Sequence, residues 1–176
     1  MKKILFALLP VLLLATGCGS TFRVYQDLDT STDFGQYETY SFLDWTEGNK
    51  KTINGMERER IRAGFARELE KMGLTYDEEN ADLKVKITVY FREATHPQYN
   101  YGGYGYYRPY PYPYYSQYHY IERALTVDIF DAVTQKQVWY SAAVGEVGRS
   151  PESRARHLPR QVTEMLEGLP LQQEPE

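Results

Sequence analysis

The chain is predicted to fold as an α+β domain: a two-layer sandwich in which an antiparallel β-sheet carries two helices packed on one face, with a long Tyr/Gly/Pro-rich loop between strands. Three observations predict it. Residues 83–92 set Leu83, Val85, Ile87, Val89 and Phe91 against Lys84, Lys86, Thr88, Tyr90 and Arg92, the pattern of a strand with one buried and one wet face. Met56, Ile61, Phe65, Leu69 and Met72 recur at helical spacing, and Glu57, Arg58, Glu59, Arg62, Glu70 and Lys71 form the opposite, charged face. Residues 96–120 hold eleven of the seventeen tyrosines and almost no aliphatic side chain, so they cannot pack a core of their own.

Taken in order, residues 21–29 form a short strand with Phe22, Val24 and Gln26 on one face, and a polar turn follows up to Asp33. Residues 36–43 alternate again, with Tyr37, Thr39, Ser41 and Leu43 opposite Glu38, Tyr40 and Phe42. Residues 44–52, containing Gly48-Asn49, are expected to be a loop. Asn54 then stands as a helix N-cap with Glu57 three residues on, as in a capping box. Gly73 lies just past the last turn, where a left-handed conformation costs glycine little, and Leu74 can pack back on the helix end.

An acidic turn, 77–80, leads into the alternating strand and the tyrosine tract. Beyond the tract, Leu125, Val127 and Ile129 alternate with Thr126, Asp128 and Phe130. Residues 131–136 reverse the chain into a partner strand over 138–147, where Trp139 is the core anchor and Tyr140 faces outward. Ser150-Pro151 opens the second helix, with proline at the position where its missing donor costs nothing. Pro159 is expected to break or restart that helix, and Val162, Met165, Leu166 and Leu169 carry its apolar stripe to Pro170. Residues 171–176 are expected to be a disordered tail. Lengthening the hairpin connection from about 5 to about 28 residues costs about 1.5 kcal/mol of closure entropy, so the core can carry the tract.

Residues 1–17 read as an export signal outside the folded domain, 18–170. Lys2 and Lys3 supply a basic start, and residues 4–14 an apolar run broken only by Pro10, too short to span a bilayer. Ala15-Thr16-Gly17-Cys18 resembles a bacterial lipoprotein box, with Ala15 where leucine is usual. That resemblance implies a diacylglycerol on the Cys18 thiol, cleavage just before it, and acylation of the new amino terminus by a palmitate-like chain. Gly19 and Ser20 follow in place of the aspartate that marks inner-membrane retention, so the implied location is the outer membrane of a Gram-negative envelope. Each buried methylene contributes about 0.8 kcal/mol, and two or more chains hold a protein stably. Cys18 is the only cysteine, so no intrachain disulfide is available. Without the leader, 18 basic residues face 24 acidic ones, a charge of −6, which gives no general attraction to nucleic acid.

Several segments together resemble the DUF4136 domain of bacterial lipoproteins. Val24 to Asp29 followed by Asp33-Phe34-Gly35-Gln36-Tyr37-Glu38-Thr39-Tyr40-Ser41-Phe42 looks like its opening strand pair, and Leu69 to Leu74 like its helix end. Ala81-Asp82-Leu83-Lys84-Val85 is similar to its third strand. Leu125 to Asp131 with Val138-Trp139 is similar to its closing hairpin, and Leu169-Pro170 to its end. The family carries no assigned activity, so the resemblance implies shape and location without chemistry.

The candidate chemistry is sparse. His96, His119 and His157 are the only histidines, and none has metal or nucleophile spacing to a cysteine or glutamate. His96 and His119 flank the tract and read as solvated loop residues, with a weak metal site as the sharper alternative. Asp82, Asp128 and Asp131 at strand and turn ends read as caps for backbone donors rather than acid–base pairs. No enzyme activity, cofactor or metal is implied. The tract reads either as an unpartnered low-complexity loop or as an adhesive surface of Tyr104, Tyr106, Tyr107, Arg108, Tyr110, Tyr112, Tyr114 and Tyr115. Tyrosine's flat ring and polar tip suit stacking on sugars, on proteins or at a membrane interface. The expected function is a non-enzymatic outer-membrane lipoprotein, an envelope structural or interaction module held in the membrane through Cys18. Glycan or peptidoglycan binding through the tract is the alternative.

Overall fold

The computed structural model describes residues 22–101, 113–146 and 150–171. Within them the chain forms β1 (Phe22–Leu28), a 3-10 turn (Phe34–Gln36), β2 (Thr39–Phe42), α1 (Glu47–Thr52), α2 (Gly55–Lys71), β3 (Thr75–Tyr76), β4 (Leu83–Tyr101), β5 (Pro113–Asp131), β6 (Gln137–Glu146) and α3 (Pro151–Leu166). All six strands join one sheet in the order β1-β6-β5-β4-β2-β3. The sheet is mixed, because β2 runs parallel to both β3 and β4. This corrects the expected antiparallel two-layer sandwich with two helices. Strands β2 and β3 are separated by the α1–α2 segment, and a connection of a dozen or more residues carrying a helix is what parallel neighbours need.

Three further expectations are overturned. Residues 47–52, taken as loop, form α1, capped by Thr46, whose hydroxyl accepts from the Asn49 N–H at 3.2 Å. Pro159 lies inside an unbroken α3, on its exposed side, where water can satisfy the backbone group that loses its partner. The tract is not simply a loop: β4 and β5 continue through residues 96–101 and 113–120, pairing residue by residue out to Tyr101↔Pro113. The expected end of α2 is present, with Gly73 at φ 91° and its N–H bonded to the Glu70 carbonyl, while the buried Leu74 donates to Leu69.

Register decides which side chains share a face. Val85↔Ile129↔Trp139, Ile87↔Val127 and Val89↔Leu125↔Ala143 put the odd positions of β4, β5 and β6 together, and these are buried. Ile61, Phe65 and Leu69 of α2 and Leu158, Val162, Met165 and Leu166 of α3 complete the same core. Met56, counted in the apolar stripe of α2, is instead 75 % exposed on its first turn. Leu171, assigned by its sequence to the tail, is buried in the core.

Two polar contacts hold the core's edges. Glu57, expected to close a capping box, sends its carboxylate to Arg123 of β5 at 3.1 Å and to Arg154 of α3 at 3.1 Å, joining sheet and both long helices. The cavity beside this cluster is only about 10 Å³, room for one water at most. Strand β2 accompanies β4 only as far as Val85. Beyond it, the buried Asn49 side chain takes the place of a strand, donating to the Val89 carbonyl at 2.7 Å and accepting the Val89 N–H at 3.0 Å. Asn49→Ala strands both groups away from water and is expected to cost about 2–3 kcal/mol. A shift in the urea midpoint at unchanged m-value would show it, and an unshifted midpoint would refute the role.

Candidate functional site: the open sheet face and the tyrosine arm

The same register that buries the odd positions sets the even ones on the opposite face, where no helix of the core lies. Here Ala124, Thr126, Ala142 and Val144 make a floor of small residues, and Arg23, Tyr25, Tyr90 and Tyr140 rise around it. The hollow is about 520 Å³. Its floor is recessed, with Thr126 and Ala142 buried, whereas Tyr25 and Tyr90 are 54 % and 59 % exposed. Burial raises the pKa of the Tyr140 phenol, and the carboxylate of Asp128 adds to the effect, so Tyr140 stays a neutral donor. Arg92 and Glu122, paired across β4 and β5, form an ion pair at one end of the hollow.

Among the described residues, the sheet narrows past that pair to two strands. Nine successive pairs, from Glu93↔Ile121 to Tyr101↔Pro113, extend the β4–β5 ribbon as an arm about 30 Å long at roughly 3.4 Å per residue. Val89 turns its N–H and carbonyl away from β5 toward Asn49, and the Ala132 N–H donates to the Asp82 carbonyl in line with the ladder. Even-numbered residues therefore exchange the inter-strand bonds, and odd-numbered ones point their backbone groups outward. Pro97 and Pro113 both fall on odd positions, where a missing N–H removes no bond from the ribbon. This is why a proline-containing tract is compatible with strand. Tyr118 and Tyr120 stack on the arm with ring centroids 6.0 Å apart and planes 13° from parallel. Their pairs, with His96 and Ala94, continue the face of the hollow.

Of the tyrosines singled out by composition, Tyr114 and Tyr115 lie in β5, opposite Asn100 and Tyr99. Tyr104, Tyr106, Tyr107, Arg108, Tyr110 and Tyr112 lie outside the described residues, as do Cys18, the leader and residues 172–176. The residues that sequence reasoning missed are Tyr25, Tyr90 and Tyr140, scattered over three strands that only the sheet order brings together. His96 and His119 sit in successive pairs, with Tyr118 and Thr95, and successive pairs alternate faces. Among the described residues no group of three His, Cys, Asp or Glu side chains is placed to hold a metal ion. No described helix is long and apolar enough to cross a membrane.

The candidate acidic residues are occupied with backbone. Asp82 accepts from the N–H groups of Glu38 and Thr39 at 3.0 and 2.9 Å and from the Thr39 hydroxyl at 2.8 Å. Asp131 accepts from the N–H groups of Val133 and Thr134 and from the Tyr37 hydroxyl at 2.9 Å. Burial alone would raise Asp82, but those donors outweigh it and its pKa is lowered. Asp131 is lowered chiefly by the Thr134 N–H. The Tyr37 phenol is pushed up to about 12 by burial and by its bond to Asp131. Asp128 differs: burial raises it, against Lys86 and a 2.8 Å bond from Gln137. Since the folded values of Asp82 and Asp131 lie below the ordinary aspartate value of about 4, their stabilisation is complete above that pH and fades as acid protonates the folded protein. The urea-midpoint gap between wild type and Asp82→Asn is thus expected to be wide at pH 6 and to close toward pH 2; a gap independent of pH would contradict it.

The architecture defines an α+β domain on a six-stranded mixed sheet, with a strand hairpin extended into an arm. The chain belongs to the DUF4136 family, a domain of unknown function, matched over residues 24–171. No curated protein matches it. Among solved structures, a PDZ domain protein from Parabacteroides distasonis is 16 % identical over 94 % of this chain, with a TM-score of 0.56. The chain spans 40 % of that protein's length, and the likeness is one of fold. The PelC dodecamer from Paraburkholderia phytofirmans is 14 % identical over 86 % of this chain and 99 % of its own, with a TM-score of 0.49.

Proposed function

We propose that the protein is a non-enzymatic, lipid-anchored interaction module of the cell envelope, tethered to the outer membrane through Cys18, with the tyrosine arm as its contact surface. The observation that carries this reading is the arm itself. Nine strand pairs project beyond the sheet, and among their residues whose side chains are described, 93–95, 97 and 117–121, none belongs to the buried core. Ordering such a segment costs about 1–2 kcal/mol of backbone entropy per residue, and the described side chains of the arm add nothing to the core in return. The lipoprotein-like box supports the anchor, since an acylated Cys18 leaves no free thiol and needs no spanning helix. Cys18→Ala is expected to move the protein from the membrane pellet to the soluble fraction. Unchanged partition would refute lipid anchoring.

A second reading, glycan or peptidoglycan binding, is favoured by the open face. Tyr25, Tyr90 and Tyr140 surround a hollow with a floor of small residues, and the stacked Tyr118 and Tyr120 continue that face along the arm. Flat phenol rings with polar tips suit sugar rings. Replacing residues 95–119 by Asn-Gly joins Ala94 to Tyr120, a pair that exchanges ladder bonds and so suits a two-residue turn. The shortened protein is expected to keep its melting temperature within about 4 °C, equivalent to about 1 kcal/mol. It is also expected to lose co-sedimentation with peptidoglycan sacculi that the intact protein shows. Equal retention by the two would exclude the arm as the glycan contact, and absence of retention by the intact protein would sink the glycan reading.

A further inference from the structure

The chain enters the sheet at the end from which the arm leaves it. Phe22, the first residue of β1, lies opposite Gly145, Gly145 opposite Arg123, and Arg123 opposite Phe91, so the four form one row across β1, β6, β5 and β4. The arm's first pair, Glu93↔Ile121, is two residues further along β4, and β1 runs from that row away from the arm. Cys18 precedes Phe22 by four residues (18 to 22), a stretch that spans at most about 14 Å. Tyr101 stands ten residues (91 to 101) beyond the row of Phe22, about 34 Å along the ribbon. The same end of the domain exposes apolar side chains. At the arm's base Ile121 and Phe91 are 53 % and 44 % exposed, and Met56, beside the Glu57 that holds Arg123, is more exposed still. Further out, the exposed Tyr118 stacks on Tyr120. Residues 94–101 and 113–121 contain no Asp, Glu, Lys or Arg.

We propose that the arm lies against the lipid leaflet that holds Cys18, with Tyr118 and Ile121 at the level of the headgroups. This rests on the anchored reading of Cys18 and names what the arm contacts: a lipid surface. With Cys18 held at that surface, Phe22 stays within about 14 Å of it. Turning the arm away from the leaflet would set the body of the sheet in between. The tether would then have to run back past the rows from Phe91 to Leu83, about 27 Å, which four residues cannot span. Nor does a ribbon of about 34 Å stand upright in a gap of about 14 Å, so the arm leans along the surface. Its side chains suit that place, because tyrosine, with its apolar ring and polar tip, concentrates at membrane–water interfaces. Without fixed charges the arm carries no ionic desolvation cost out of bulk water, and the contact is one of rings and aliphatic groups rather than ion pairs. Hydrocarbon offers no partner to backbone groups on the outer edges of a ribbon, which sets the arm at headgroup level rather than across the bilayer. A glycan or a protein could use the same rings; the short tether at the arm's own end favours the leaflet.

The test uses the acylated protein, purified from membranes and added to preformed phosphatidylethanolamine–phosphatidylglycerol vesicles in which part of the lipid carries a headgroup nitroxide. Acylation consumes the thiol of Cys18, the chain's only cysteine, so one introduced cysteine alone takes a fluorophore. Tyr118→Cys and Ile121→Cys place the label on the arm. Val133→Cys, at a fully solvated position in the turn at the far end of the sheet, places it about 35 Å or more away. Quenching by the nitroxide lipid is expected to be several-fold stronger at 118 and 121 than at 133. The label at 121 leaves the Tyr118–Tyr120 stack intact and carries the test where Tyr118→Cys fails to fold. Protein that floats with the vesicles but is quenched no more at 118 and 121 than at 133 overturns the proposal and spares the anchor. Parent protein that takes the fluorophore on Cys18 and does not float with the vesicles overturns the anchored reading, and the proposal with it.

Discussion

The pairing of β4 with β5 is the constraint on which the rest of the structure depends. One register, unshifted from Leu83↔Asp131 to Tyr101↔Pro113, serves two different parts of the molecule. In the sheet it turns Leu83, Val85, Ile87 and Val89 toward Leu125, Val127 and Ile129, and the core is built on those positions. On the arm it decides which backbone groups point outward. Because side chains alternate with a period of two, a slip of one residue would expose the core row and bury Lys84 and Lys86. Aliphatic burial at the sheet end therefore holds the register, and the arm inherits it.

That inheritance explains how a segment with few apolar residues can be a strand at all. An isolated two-stranded hairpin is marginal in water. Here its first pairs are already formed by a packed sheet, so each further pair adds to an existing ladder. The prolines fit because both described ones, Pro97 and Pro113, sit at odd positions. The Arg92–Glu122 ion pair closes the junction on the open face. On the helix face, Arg123 sits at the same level and is tied to Glu57, which Arg154 also holds, so the base of the arm is clamped from both sides.

Much of the domain was legible in the sequence, and the failures have physical causes. The 83–92 strand, the Asn54 cap, Gly73 and Trp139 each carry a local signal strong enough to survive folding. The parallel pairing of β2 was not legible from local pattern. It follows from what separates β2 from β4, an α1–α2 segment where a turn would be needed for a hairpin. Helix α1 is too short for periodicity to show, and its reason to exist is nonlocal, since Asn49 is needed at Val89. The capping-box reading of Glu57 assigned its carboxylate to a local bond, and two arginines distant in sequence claimed it instead. The open face was invisible because Tyr25, Tyr90 and Tyr140 each look like an ordinary wet-face residue until the sheet order sets them around one hollow.

The arm shows how composition can mislead where parity does not. Tyrosine, glycine and proline in quantity suggest a segment without structure, because such residues bury little and proline withholds a donor. Yet proline is harmful to a ribbon only at positions that exchange bonds, and Pro97 and Pro113 both fall at positions that exchange none. Read against the register of β4 and β5, the positions of Pro97 and Pro113 subtract from the outer edges and leave the inner ladder whole. They also subtract unequally. Pro97 withholds a donor midway along the outer edge of β4, whereas Pro113 stands at the very start of β5.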